Sequence, residues 1–364
     1  MLQKAERGES PTQIADKQNR AQLDKDITSQ QHELNDYQAE FDDLARKAYR
    51  GDHSIETWDR IHELTDVLAP TKRKLGELEG VRQALENGED TYLMHYEPNG
   101  HRMVHAAISV GNPDVARNVS TTIPGVSTTP NSLSRMVGEA ATLRLEADEQ
   151  REAAGLPAES AAIAWLGYDP PPNPLDTHSP KDAWNTLTKD RAVEGAPRLA
   201  DFLGGIRENN PGVELALFGH SYGSLTASLA LQELKDRKTD ASAQVVDRVA
   251  FYGSPGLAIN KVEELGVPPN AAFIMKAKGD LVVTLFAPFA PDHGWGRDPY
   301  RIDGIHELST GESTDPHGQW HPEATGHSEY PQALGPPDDQ RLTTAGYNLA
   351  TILAGLPGWL AWKD

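Results

Sequence analysis

Residues 213 to 224 read Val-Glu-Leu-Ala-Leu-Phe-Gly-His-Ser-Tyr-Gly-Ser, and this stretch limits the chain more than any other. An apolar run short enough for one buried strand meets Gly-x-Ser-x-Gly, and leucines and small residues at helical spacing follow from Leu225 to Leu234. Strand, sharp turn and helix are expected in that order. A serine at the tip of such a turn sits in a strained backbone, and strand and helix pass so closely that only small residues fit two places to either side. Gly219 and Gly223 occupy those places. The turn is expected to lift the Ser221 hydroxyl above the sheet and to aim the Tyr222 amide at the position where an oxyanion would form.

A serine hydroxyl is a poor nucleophile without a base, and the base needs a third group to fix its tautomer and stabilise its charge. On strand–turn–helix elbows of this kind the acid and then the histidine follow the serine along the chain. Asp280, in Lys278-Gly279-Asp280-Leu281-Val282, lies just past a candidate strand at Ala272 to Ala277 and is the preferred acid; Asp292, Asp298 and Asp303 compete. His327, in a loop between a candidate last strand (Ile302 to Leu308) and a terminal helix (Arg341 to Ala354), is the preferred base, with His317 or His321 as the alternative. His220 is adjacent to the serine, but its side chain leaves the turn in another direction. The second oxyanion donor is expected from the loop Pro124-Gly125-Val126, because a glycine after an early strand lets backbone approach a reacting carbonyl. Asp315-Pro-His317-Gly-Gln-Trp-His321 raises a metal reading, but Pro316, Gly318 and Pro322 oppose the helix that would bring both imidazoles to one face. No metal and no cofactor are expected.

The rest of the chain alternates strands and helices: strands at Val104 to Val110, Asn118 to Ile123, Ala161 to Leu166 and Arg248 to Gly253, and helices at Ser132 to Ala154 and Trp184 to Asn209. That alternation predicts an α/β protein with a mostly parallel sheet covered by helices on both faces. The first two of these strands, joined by Gly111-Asn112-Pro113-Asp114, read as strand, turn, strand. Upstream, residues 1 to 20 are polar and expected to start frayed, although Ser10-Pro11 could open a helix. Residues 21 to 90 carry a heptad (Ile27, Leu34, Phe41, Ala48) and two further helical stretches separated at Pro70, giving a hairpin or small bundle ahead of a main domain over residues 91 to 364. The tail Leu356 to Trp362 is apolar and expected to pack on that domain.

The 364 residues include 54 acidic and 34 basic side chains, a formal charge of −20, so phosphate backbones are repelled and nucleic acid is not an expected partner. With no cysteine, thiolate catalysis and disulfide frameworks are excluded. No stretch has the length of a membrane span and the first residues lack an apolar signal region, so a cytoplasmic protein is expected, with export by a route outside the general secretory one left open.

Four separated motifs, the elbow, Gly253-Ser254-Pro255-Gly256, Gly111-Asn112-Pro113-Asp114 and Gly326-His327-Ser328-Glu329-Tyr330, together resemble the actinobacterial α/β-hydrolase family catalogued as a domain of unknown function. The resemblance spans about residues 91 to 356. It implies an α/β-hydrolase fold with Ser221, Asp280 and His327 as a triad and no settled substrate. Members often carry helical N-terminal segments reminiscent of type VII secretion substrates. This chain has Pro124-Gly125-Val126-Ser127 where the family tends to have a second glycine in that loop.

Two functions follow as expectations. One is a serine hydrolase acting on a small-molecule or lipid-like ester or related acyl bond, with peptide and amide substrates open. The other is a catalytically weak scaffold whose N-terminal helices bind a protein partner or a second copy.

Overall fold

The computed structural model describes residues 8–172, 188–237, 244–291, 294–336 and 340–363. Helix α1 (Pro11–Tyr49) begins where Ser10 and Gln13 cap each other, the Gln13 amide N–H donating to the Ser10 hydroxyl and Ser10 N–H to the Gln13 side chain. The fraying expected up to residue 20 is therefore absent from Pro11 onward. Thr12 is buried and gives both its N–H and its hydroxyl to Asp114, at 2.7 and 3.0 Å. Residues 1 to 7 lie outside the described residues.

Helix α2 (Ile55–Glu86) runs straight through Pro70, so the two stretches read from the sequence are one helix. Pro70 and Asp66 are both exposed, so the Asp66 carbonyl that loses its helical donor can accept from water instead. The two helices form a hairpin whose inner residues Leu23, Ile27, Leu75, Leu78 and Val81 join the core of the main domain.

Eight strands make the central sheet: β1 (Thr91–Glu97), β2 (His105–Val110), β3 (Asn118–Ile123), β4 (Ser160–Leu166), β5 (Glu214–His220), β6 (Arg248–Tyr252), β7 (Ala272–Met275) and β8 (His306–Leu308). Their order is β1-β2-β4-β3-β5-β6-β7-β8. The β1–β2 and β2–β4 pairs are antiparallel, and every pair from β4–β3 onward is parallel. The strand, turn and strand read from the sequence here are present as β2 and β3, and in the sheet β4 lies between them. Strand β1 was not anticipated.

Alternate residues of each strand feed two cores. Ala106, Ile108, Ala162, Ala164, Ala216, Phe218 and Ala250 face the hairpin, α3 (Leu133–Ala153) and the terminal helix. Ala107, Ala161, Ile163, Leu215, Leu217 and Phe251 face α4 (Asp190–Asn209) and α5 (Gly223–Asp236). A strand buried on both faces has no polar side to show, which is why β4 and β5 read as continuous apolar runs. This is the α/β-hydrolase architecture. The predicted start of α4 at Trp184 lies outside the described residues.

After β7 a short helix α6 (Leu281–Phe286) begins, and helix α7 (Thr344–Ala354) follows a small two-stranded pair that takes Arg341 and Leu342 out of the predicted helix. Both edges of the sheet are covered. Along β1, Asp16 accepts from Leu93 N–H at 2.7 Å, and Asn19 and Arg20 donate to the carbonyls of Leu93 and Thr91 at 2.8 and 2.7 Å. At β8 the C-terminal tail bridges Leu308 through Trp362, and Ser309 N–H donates to Ala361 O at 2.9 Å. The tail therefore packs on the domain, with Leu360 buried and Trp362 half open to solvent.

Candidate active site

Strand β5 ends at His220 and helix α5 starts at Gly223, which leaves Ser221 at the tip with φ of 53°, in the left-handed region. For a residue with a Cβ that conformation is strained. It is held from both sides, since Ser221 N–H donates to Tyr252 O at 2.9 Å and Ser221 O accepts from Ser224 N–H at 3.0 Å. A Cβ on Gly223 would lie 2.5 Å from Pro124 O, and one on Gly219 would lie 2.8 Å from the Ser224 backbone. The two glycines are required by contact with backbone that has no room to yield.

The loop after β3 reaches the same point. A Cβ on Gly125 would fall 2.6 Å from Ser221 Cβ and 3.0 Å from its Oγ, so the backbone of Gly125 lies directly against the serine, with Val126 next in the loop. Tyr222 begins the first turn of α5, where amides have no intrahelical acceptor and the helix dipole favours negative charge. Its hydroxyl faces away, donating to Thr188 O at 2.7 Å.

His327 arrives from the loop between β8 and α7. Its Nε2 lies 2.8 Å from Ser221 Oγ, and its Nδ1 lies 3.0 Å from each oxygen of Asp280. Asp280 is wholly buried and caps α6, accepting from Val283 N–H at 3.1 Å. Tyr330 donates its hydroxyl to Asp280 Oδ2 at 2.6 Å while accepting from Ala277 N–H at 2.9 Å. Burial works to raise the Asp280 carboxyl, but the hydrogen bond and charge of His327, with the Tyr330 and Val283 donors, outweigh it and hold the group below its ordinary value.

The remaining candidates lie elsewhere. Asp298 caps the short turn at Pro299 and pairs with Arg301, Asp303 is exposed, and Asp292 and His293 lie outside the described residues. His317 packs on Trp359 at the surface, whereas His321 is buried with Nδ1 on Leu342 O at 3.0 Å. The two imidazoles do not share a site.

Two participants were not assigned from the sequence. Tyr330 stands three residues after His327, and that spacing was its available signal. His220 lies between Tyr252 and His327, ring centroids 4.9 and 5.0 Å away, and donates Nε2–H to His327 O at 2.9 Å. Burial, aided by the neighbouring His327, pushes His220 down to about 3, so it remains a neutral donor near neutral pH.

A family model described as alpha/beta hydrolase matches residues 99–291. An uncharacterized protein of Mycobacterium tuberculosis is 35% identical over 244 residues, which is 65% of this chain and 83% of its own. A second uncharacterized protein of that organism is 32% identical over 145 residues, 39% of this chain and 21% of its own. Among solved structures, an esterase from Pyrobaculum calidifontis aligns with 87% of this chain and 96% of its own at 13% identity, with a TM-score of 0.37. Among the described residues no helix is long and apolar enough to cross a membrane. Because the family model covers more than half of its length, and the 35%-identical relative is covered over most of its own, this chain belongs to the alpha/beta hydrolase family.

Proposed function

We propose that this protein is a serine hydrolase that cleaves a carboxylic ester or related acyl bond through Ser221, His327 and Asp280. One observation carries the reading: a serine oxygen 2.8 Å from an imidazole whose other nitrogen is 3.0 Å from a buried carboxylate. His327 Nε2 takes the proton as Ser221 Oγ bonds to the substrate carbonyl carbon. Asp280 holds Nδ1–H and stabilises the imidazolium. The amides of Tyr222 and of Gly125 or Val126 receive the oxyanion. His327 then protonates the leaving oxygen as its bond to carbon breaks, and a water activated by the same imidazole releases the acyl group from Ser221. The base and each oxyanion donor are worth on the order of a hundredfold or more in rate, so activity depends on both.

Directly after Asp280, Leu281, Leu285 and Phe289 expose an apolar face at four-residue spacing, which supports a substrate with an apolar acyl or alcohol group. A fluorophosphonate probe and a p-nitrophenyl ester series of increasing acyl length test the proposal. Labelling at Ser221 and turnover are expected, both lost in Ser221→Ala, with turnover lost in His327→Ala. A folded wild-type protein that neither labels nor turns over any ester would overturn it. The tip of the hairpin, where Tyr49, Ile55 and Trp58 are exposed, would then favour the partner-binding scaffold.

A further inference from the structure

Outside the triad, a buried cluster of ionisable side chains lies at the carboxyl end of β4. His105 and Arg191 are buried, and both turn toward Asp169: His105 Nε2 is 3.0 Å and Arg191 Nη1 is 3.8 Å from its oxygens. On its other nitrogen His105 meets Glu97 at 3.2 Å and Arg198 at 3.1 Å. Buried charges persist when they are paired, and their usual effect is to fix one local arrangement. Burial works to raise the Asp169 carboxyl, yet His105 and Arg191 hold it below its ordinary value, so the carboxylate stays charged.

What this cluster fixes is the backbone of residues 168 to 171, and that backbone grips the loop beside Ser221 at two points. The buried Tyr168 hydroxyl donates to Pro124 O at 2.6 Å, and Ser127 N–H donates to Pro171 O at 2.9 Å. Gly125 and Val126 are the two residues between those grips. In a trans peptide the carbonyl and the following N–H point in opposite directions across one plane, so holding Pro124 O sets the direction of Gly125 N–H. The phenol itself cannot drift. Its ring stacks on Trp165 at 5.9 Å, and α4 lies so near that a Cβ on Gly195 would come within 2.7 Å of Tyr168 Cβ.

We infer that Tyr168, anchored through Asp169 by His105 and Arg191, is a positioning residue that aims the Gly125–Val126 oxyanion donors at the carbonyl attacked by Ser221. The inference rests on the hydrolase reading above. Tyr168 touches no reacting atom. Its hydroxyl acts through the peptide it holds, so its loss weakens binding of the tetrahedral state more than binding of the substrate.

The test is Tyr168→Phe, which keeps the stacked ring and removes the donor. With p-nitrophenyl butyrate, and active serines counted by fluorophosphonate titration, kcat is expected to fall about ten- to hundredfold, approaching the loss of one oxyanion donor, while KM stays within about twofold. Butylboronic acid, which forms a tetrahedral adduct on the serine, should lose affinity by a similar factor. The pH profile should not move. A merely structural tyrosine would lower the titrated fraction and leave kcat per active serine unchanged, and that result overturns the inference. Asp169→Asn keeps the phenol and loosens its segment, so it carries the same test should Tyr168→Phe not fold; kcat per serine within twofold of wild type would again overturn it. An active wild type with indifferent variants sinks only this inference, whereas a wild type that neither labels nor turns over sinks the hydrolase reading and this with it.

Discussion

His220 shows how a titratable side chain can be placed beside the His327 imidazole without competing with it. Held down to about 3 in the folded protein, against about 6.5 when unfolded, it stays neutral in the native state while the unfolded chain takes up a proton. The unfolded state therefore binds more protons between these values. The stability due to this group is complete above about 6.5 and is lost progressively as pH falls toward about 3. Urea midpoints at pH 7.5 and 4.5 check this: the fall on acidification should be smaller in His220→Gln, whose amide can still donate to His327 O, than in wild type. An equal fall in both would refute it. Tyr330→Phe removes a donor from Asp280 and leaves Ala277 N–H without its acceptor, so denaturation should show a loss of about 1–3 kcal/mol together with reduced ester turnover. At this scale the three side chains that the structure brings together, Ser221, Asp280 and His327, were legible in the sequence because each sits beside a recognisable strand end or loop. Tyr168 gave no such signal, since it acts through the carbonyl of another residue.

Among elements, the hairpin shows where reading by local rules goes astray. Proline interrupts a helix by removing one hydrogen bond and crowding the preceding turn, yet α2 spans Pro70 because packing of Ile61, Leu64, Leu75 and Leu78 on either side sustains one axis. The proline still costs helix stability. Pro70→Ala, at an exposed position, should gain about 1–3 kcal/mol in chemical denaturation. The elbow predicts the reverse: Gly223→Ala would drive a methyl into Ile123 and Pro124 carbonyls, and both melting temperature and labelling of Ser221 should fall. Strand β1 escaped notice for a physical reason too. Its residues Thr91 to Glu97 are mostly half-buried under α1, which leaves neither the alternation of a one-sided strand nor the apolar run of a two-sided one.

For the whole molecule, the N-terminal hairpin and the hydrolase sheet share one core: Leu23 and Leu78, each 1% exposed, belong to the cluster that also holds Ile108, Met136 and Leu353. Leu78→Ala should therefore lower the stability of the entire protein by about 2–5 kcal/mol, in a single transition seen alike by helical circular dichroism and tryptophan fluorescence. Two separate transitions would mean the hairpin folds on its own. Order along the sheet was less legible than its composition, because a strand inserted between two sequence neighbours leaves no mark on either. The side chains of α1 and the C-terminal tail lie along opposite borders of that sheet, occupying groups with which a passing extended peptide would otherwise pair. Loss of one chain end would thus free a single border through which two copies can pair and stop, whereas loss of both would leave a sheet that neighbours can continue without limit, so forms trimmed at one end should dimerise and forms trimmed at both should polymerise, as light scattering would show.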